Sequence, residues 1–255
     1  MNPQIVSLVA PAKLTISLKV TGVRADGFHL IDAEMVTLDL ADELVVDPSR
    51  TGLEITGEFA DDLAESVDTT YRNDNLVSRA LQLAGRKAHV TVTKNIPSGG
   101  GLGGGSADAA AILRWAGFTD LVAAAKLGAD IAFCMIGGRA RVSGIGEVVN
   151  PLKKIAREIT LVVPPFRVST PAVYRAFDQL TDFGRTPIKH AGVNDLELAA
   201  INVEPRLAIW KQKISQAAGV EPVLAGSGST WWLDGKFEHL TAQLSDATVV
   251  CTRTN

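Results

Sequence analysis

Apolar and polar residues alternate along the start of the chain. Leu14, Ile16, Leu18 and Val20 occupy every second position, which predicts a half-buried strand over 5–20. Segments 33–40, 43–47, 53–58 and 88–93 read as further strands, and Asp26-Gly27 between the first two is a hairpin signal. The period changes at 74–84, where Leu76, Ala80 and Leu83 share one helical face ahead of Gly85, a suitable residue to end a helix. Further helices are predicted to start near Ser106 and Thr119, and 130–135 leads into a Gly137-Gly138 turn. The pattern shifts around Pro151. A strand at 159–163 stops at Pro164-Pro165, and Thr170-Pro171 reads as the cap and first residue of a helix. Helices near 195–217, a strand at 222–225, the turn Gly226-Ser227-Gly228-Ser229, a strand at 230–234, a helix at 236–245 and a strand at 247–252 complete the chain. These elements predict two α/β domains, 1–152 and 153–255, with no internal repeat.

At 255 residues and 46% hydrophobic, the chain can bury one large core or two modest ones. A net charge of −3 and the lack of any Lys/Arg cluster argue against a nucleic-acid partner. Cys134 and Cys251 have neither metal-ligand spacing nor a disulfide framework, and His89 and His190 show no metal spacing either. No uncharged apolar run approaches the roughly 18 residues of a membrane span. Together these features predict a cytoplasmic protein without a membrane partner. Oligomeric state is left open, a homodimer included.

Six glycines fill seven positions in Pro97-Ser98-Gly99-Gly100-Gly101-Leu102-Gly103-Gly104-Gly105-Ser106-Ala107. Glycine at that density costs conformational entropy and is kept where backbone must approach something closely. A strand before it and a helix after it make it a phosphate cradle, with N–H groups and the positive end of a helix dipole aimed one way. It is not a Walker A loop, because no Gly-Lys-Ser/Thr follows. It is not a good dinucleotide fingerprint either: nearly a hundred residues precede it, and Asp120, the acid at the right distance, lies in a helical stretch. A flexible linker would lack the flanking strand and helix.

Other residues admit two readings each. Lys13, in an apolar strand, either points to solvent or faces an anionic site. Asp130 either caps a helix or accepts a proton from a substrate hydroxyl. Phe28 and His29, just after the hairpin turn, either cover a strand edge or line a site. Trp231-Trp232 predicts one ring inside and one outside. Ser227 and Ser229 either contact a nucleotide or pack their turn against the first loop.

Pro11-Ala12-Lys13, the 97–106 loop and Leu224-Ala225-Gly226-Ser227-Gly228-Ser229 occur in this order across nearly the whole chain. In this they resemble the three motifs of the GHMP kinase superfamily. The resemblance implies an α/β (α+β) two-domain fold: an N-terminal ribosomal-protein-S5-domain-2-like domain and a C-terminal ferredoxin-like domain. Arg24-Ala25-Asp26-Gly27-Phe28-His29, Leu127-Gly128-Ala129-Asp130, Gly144-Ile145-Gly146-Glu147, Ser169-Thr170-Pro171 and Asn194-Asp195-Leu196-Glu197 are similar to one branch of it. Members of that branch phosphorylate a hydroxyl of 4-diphosphocytidyl-2-C-methyl-D-erythritol in the non-mevalonate route to isoprenoid precursors. The resemblance implies Lys13 and Asp130 as the catalytic pair and residues 97–107 as the ATP loop. It places Lys94 and Asn75 near the base or ribose and Thr15 by the acceptor. Phe28 and Tyr174 would sandwich cytosine, with His29 and Thr170 as polar partners. ATP and Mg²⁺ are the implied cofactors, with Ser106 as the protein donor to the ion. Thr15 stands where the branch usually has Asn, Phe28 where it has Tyr, and Ala132 where it has Pro; the 106–130 segment is about ten residues short. Two rival readings are another kinase of the superfamily, acting on homoserine, mevalonate or a sugar, and a nucleotide-binding paralogue without catalysis.

Overall fold

The computed structural model describes residues 4–60, 75–181 and 192–255. His190 lies outside them. Two sheets organise the chain. The first holds β1 (Val6–Val23), β2 (His29–Asp47), β3 (Gly52–Thr56), β4 (His89–Thr93), β5 (Arg139–Gly144) and β6 (Val148–Leu152). The long β2 is its spine: β1 runs antiparallel along one edge, and β4 and β5 share the other. The second sheet holds β7 (Glu158–Val163), β8 (Val223–Leu224), β9 (Trp231–Asp234) and β10 (Thr248–Arg253) in the order β10-β7-β9-β8. Taken from β7 as first, that is the 4-1-3-2 order of a split βαβ, as a ferredoxin-like domain requires.

The helices are α1 (Leu76–Leu83), α2 (Gly104–Trp115), α3 (Leu121–Leu127), α4 (Ile131–Ile136), α5 (Thr170–Thr181), α6 (Glu197–Val203), α7 (Arg206–Ala218) and α8 (Leu240–Gln243). Asn75 caps α1 by accepting from Val77 N–H at 2.8 Å, and Asp120 caps α3 by accepting from Ala123 N–H at 3.0 Å. Gly85, at φ +62°, ends the first of these as predicted.

Several elements depart from the pattern. The two strands expected at 33–40 and 43–47 are one, because Asp42 between them is a fully buried ion-pair member inside β2. The buried face of α1 is Val77, Ala80 and Leu81, while Leu83 is exposed. The β5–β6 hairpin was not foreseen, since Gly137-Gly138 and Gly144-Ile145-Gly146 read as punctuation rather than as the ends of a six-residue strand. Helix α8 has four residues, not the ten expected. Thr170 is not the cap of α5. It is the first helical residue; Ser169 Oγ accepts from Ala172 N–H, and Thr170 Oγ1 bonds Ser227 Oγ at 2.7 Å instead. Both tryptophans of β9 are buried, Trp231 at 0% and Trp232 at 5% exposure. They pack into separate apolar clusters, because both faces of the second sheet are covered.

One apolar cluster runs without interruption from the first sheet through α2 and α4 to α5, α7 and β9. A smaller one joins Leu14, Leu38, Ile96, Leu102, Leu161 and Trp232 directly behind the glycine loop. The loop is therefore mounted on the seam between the sheets, with Leu102 buried as its anchor.

Candidate active site

The glycine loop is held through its carbonyls. Gly100 O accepts from Thr230 N–H at 3.2 Å and Leu102 O accepts from Lys13 N–H at 3.0 Å. No acceptor among the described residues engages the N–H groups of Gly100, Gly101, Leu102 or Gly103. These four donors precede α2, whose cap Gly103 (φ +71°) offers no side chain. Free amides in front of a twelve-residue helix form an anion cradle. The second glycine turn packs against the first: a β-carbon on Gly101 would stand 2.8 Å from Ala225 O, so only glycine fits. Asn194 fixes that turn by donating from Nδ2 to Leu224 O at 2.9 Å and to Gly226 O at 2.7 Å.

Lys13 is not on a solvent face. Register shifts between Pro11 and Lys13 and between Thr15 and Ser17 mark irregular β1–β2 pairing around it, the device by which strands re-aim side chains. Its stem lies under the loop, where a β-carbon on Gly103 would come within 2.7 Å of Lys13 Cγ. Nζ reaches Asp130 Oδ2 at 3.2 Å and donates to Thr15 Oγ1 at 3.3 Å.

Asp130 stands between α3 and α4. Gly128 ends α3, Ile131 N–H donates back to Gly128 O at 2.9 Å, and Cys134 N–H donates to Asp130 O at 3.0 Å. The Asp130 carboxylate makes no capping bond. Behind it, Glu147 accepts from Ile145 N–H at 2.6 Å, and Gly146 lies so close to Ala129 O that no β-carbon could stand there. The Gly144–Glu147 turn thus buttresses the backbone that carries Asp130.

Lys13, Thr15, Asp130 and Gly101 line one end of a cavity of about 520 Å³; Phe28, His29, Thr170 and Tyr174 line the rest, with Arg175 and Asp178. His29 Nε2 lies 2.7 Å from Asp178 Oδ1, and its ring packs at 4.6 Å, tilted, against Tyr174. Burial raises the Tyr174 phenol above its ordinary range, with the Asp130 charge acting the same way, so its hydroxyl stays protonated. Phe28 is 59% exposed, an aromatic face left uncovered at the rim.

On the other side of the loop lies a cleft of about 220 Å³ lined by Asn75, Lys94, Pro97, Ser98, Gly99, Gly103–Gly105 and Asp108. Lys94, 3% exposed, pairs with Asp42 and with Asp108 at 2.7 Å. Burial opposes its charge, but Asp108 and Asp42 outweigh that and raise its pKa. Burial pushes Asp108 up to about 7, against the pull of Lys94. Asp42 Oδ1 also accepts from Asn95 and Ile96 N–H, which fixes the entry to the loop. Lys94 lines the cleft, but its partners Asp42 and Asp108 were not among the residues singled out from the sequence. A lone acid inside an apolar strand was the available signal, since such a group requires a partner. Asp178 was also missed; it lies one helical turn past Tyr174.

Ser106 and Ala107 open α2. Ser106 Oγ faces the Gly128 turn, 3.8 Å from where a β-carbon on Gly128 would lie. Among the described residues, no group of three or more His, Cys, Asp or Glu gathers to hold an ion. No described helix is long and apolar enough to cross a membrane.

Residues 75–138 match the family described as GHMP kinases N terminal domain. A 4-diphosphocytidyl-2-C-methyl-D-erythritol kinase from Paracoccus denitrificans (strain Pd 1222) is 40% identical over 235 residues, 87% of this chain and 84% of that one. Its counterpart from Ruegeria pomeroyi is 37% identical over 244 residues, 87% and 85% of the two chains. A crystal structure of 4-(cytidine 5'-diphospho)-2C-methyl-D-erythritol kinase matches with a TM-score of 0.74 at 29% identity, over 98% of this chain and 99% of that chain. L. major mevalonate kinase in complex with R-mevalonate, at TM-score 0.68, 12% identity and coverage of 100% and 97%, shares the fold. With two-fifths of its residues in common with a relative across most of both chains, this chain belongs to the 4-diphosphocytidyl-2-C-methyl-D-erythritol kinase family of GHMP kinases and is a phosphotransferase.

Proposed function

We propose that this chain transfers the γ-phosphoryl group of ATP to a hydroxyl of the methylerythritol moiety of 4-diphosphocytidyl-2-C-methyl-D-erythritol, a step toward isoprenoid precursors. The observation that carries this reading is the Lys13–Asp130 pair, 3.2 Å apart, where the glycine loop meets the aromatic-ended cavity. In the division of labour we propose, 1–152 supplies the phosphate loop and the catalytic pair. Residues 153–255 supply the second glycine turn and the helix bearing Thr170 and Tyr174. The free amides of Gly100–Gly103 hold the β- and γ-phosphates, supported by the α2 dipole. Residues 97–107 cover the nucleotide, and Asn75 and Lys94 line the cleft for its base or ribose.

Phosphoryl transfer of this kind has a loose transition state, so the protein mainly positions the reactants and stabilises charge. The acceptor oxygen bonds to the γ-phosphorus while the bond from phosphorus to the β,γ-bridging oxygen breaks, and ADP leaves. Asp130 orients the hydroxyl and takes its proton. A carboxylate is a weak base, which suffices when the proton leaves after most of the bond cleavage. Lys13 pairs with Asp130 and faces the charge on the group in flight. Thr15 fixes the ammonium from its other side. Phe28 and Tyr174 take the cytosine between them, with His29 and Thr170 as polar partners at that end.

Magnesium held largely by phosphate oxygens and water needs one or two protein donors, and Ser106 Oγ beside the loop fits that requirement. The ion would neutralise charge on the β- and γ-phosphates. A cytoplasmic location fits the two free cysteines, Cys134 and Cys251.

Measuring ADP release with the cytidylyl acceptor, mevalonate and homoserine in parallel tests the proposal. Turnover with the first alone is expected. Turnover with another acceptor instead, or with none, overturns it.

A further inference from the structure

The acceptor cavity has five ionisable side chains in its lining: Lys13, His29, Asp130, Arg175 and Asp178. Four of them are matched. Lys13 lies against Asp130 at 3.2 Å, and His29 against Asp178 at 2.7 Å. Arg175 is the fifth. It is exposed, and it makes no ion pair or hydrogen bond with any described residue. Its natural partner on the same helix would be Asp178, three positions on. That carboxylate is turned to His29 instead. Arg175 lies on the same helix as Tyr174, the helix that lines the aromatic end of the cavity.

A guanidinium keeps its charge at every pH of interest, and its planar fork of N–H donors matches phosphate oxygens two at a time. Lys13 is taken up at the reacting end, by Asp130, Thr15 and the group in flight, and so is not available to the acceptor's diphosphate. An acceptor that carries a diphosphate between its base and its reacting hydroxyl brings negative charge to the middle of the cavity. Among the described lining residues, Arg175 is the cation with no counter-charge to meet it.

We infer that Arg175 is the specificity residue for the diphosphate of the acceptor. It makes the site select a nucleoside diphosphate conjugate over a nucleoside or a free polyol of similar shape. This inference rests on the acceptor proposed above. Arg175 touches no reacting atom in this scheme, so its loss weakens acceptor binding and leaves the chemical step alone.

The test uses the full chain and its Arg175→Ala and Arg175→Lys variants, with cytidine, CMP and CDP as competitors of the cytidylyl acceptor. Arg175 is an exposed helix residue with no described partner, so both variants are expected to keep the parent's thermal midpoint. In the parent, CDP should inhibit about tenfold or more tightly than cytidine, as a charge-assisted phosphate contact implies. In Arg175→Ala that preference should fall to about twofold and KM for the acceptor should rise about tenfold. Its kcat and its KM for ATP should stay within about twofold of the parent's. Arg175→Lys should recover part of the preference, since it restores the charge without the fork. A parent that prefers CDP, beside an Arg175→Ala variant that prefers it equally, overturns the assignment of Arg175 and leaves the proposed function standing. A parent that neither binds CDP nor turns over the cytidylyl acceptor overturns both.

Discussion

Two clusters of lysine and aspartate flank the glycine loop, and the same chemistry is put to opposite use in them. On one side Lys94 is 3% exposed and engages both Asp42 and Asp108, while Asp42 also accepts two backbone N–H groups. On the other side Lys13 meets a single carboxylate. The Asp130 side chain is 29% exposed to the cavity and makes no capping bond. The first cluster has its ammonium fully committed and holds the loop's entry in place. The second keeps unengaged carboxylate lone pairs facing a space large enough for a ligand. Residue type does not separate the two clusters; access and spare hydrogen-bonding capacity do.

Breaking the closed cluster should have the largest effect, and it should fall on stability. Lys94→Met leaves the Asp42 carboxylate buried without its cation, which costs about 3–5 kcal/mol. A markedly lower midpoint in urea unfolding is expected. Breaking the open cluster should fall on turnover instead. Asp130→Asn is expected to lower kcat about 10²-fold or more, with the unfolding midpoint and ATP affinity close to the parent's. At the far end of the same cavity, Phe28→Ala removes stacking of about 0.5–1.5 kcal/mol. The acceptor KM should rise severalfold, with kcat retained.

The smallest expected effect is a change of slope. Burial raises Asp108 from 3.8 to about 7, so its neutral form is the one the fold favours. The stability this contributes is present in full below pH 3.8 and is lost as pH rises through about 7. Asp108→Asn is uncharged throughout. Unfolding free energy measured from pH 4 to 7 should therefore decline more for the parent than for the variant.

Much of the open cluster was legible in the sequence, and little of the closed one. Pro11-Ala12-Lys13, the glycine loop and Leu127-Gly128-Ala129-Asp130 are local strings, and it is their resemblance to one kinase branch that groups them. What the strings could not decide was where Lys13 points. That depends on irregular pairing with β2, a property of two strands together. Asp42 is 52 positions from Lys94 and Asp108 is 14, and neither belongs to a readable string. A charge inside an apolar run is ordinarily a place where a strand ends, and Asp42 lies between the two segments that prove to be one strand. The β5–β6 hairpin carries Arg139 and Arg141, whose partners Glu34 and Asp32 lie on β2, more than a hundred positions away. Thr170 was assigned to capping because its local context suits a cap. Its hydroxyl is claimed by Ser227, 57 positions away.

In the proposed mechanism Lys13 and Asp130 work as one unit, Asp130 on the attacking hydroxyl and Lys13 on Asp130 and the group in flight. Single-turnover phosphoryl transfer measured for Lys13→Ala, Asp130→Asn and the double variant tests it most directly. Groups that work as a unit are strongly non-additive, so the double variant should be about as slow as the slower single one. Losses that multiply in the double variant would contradict the account.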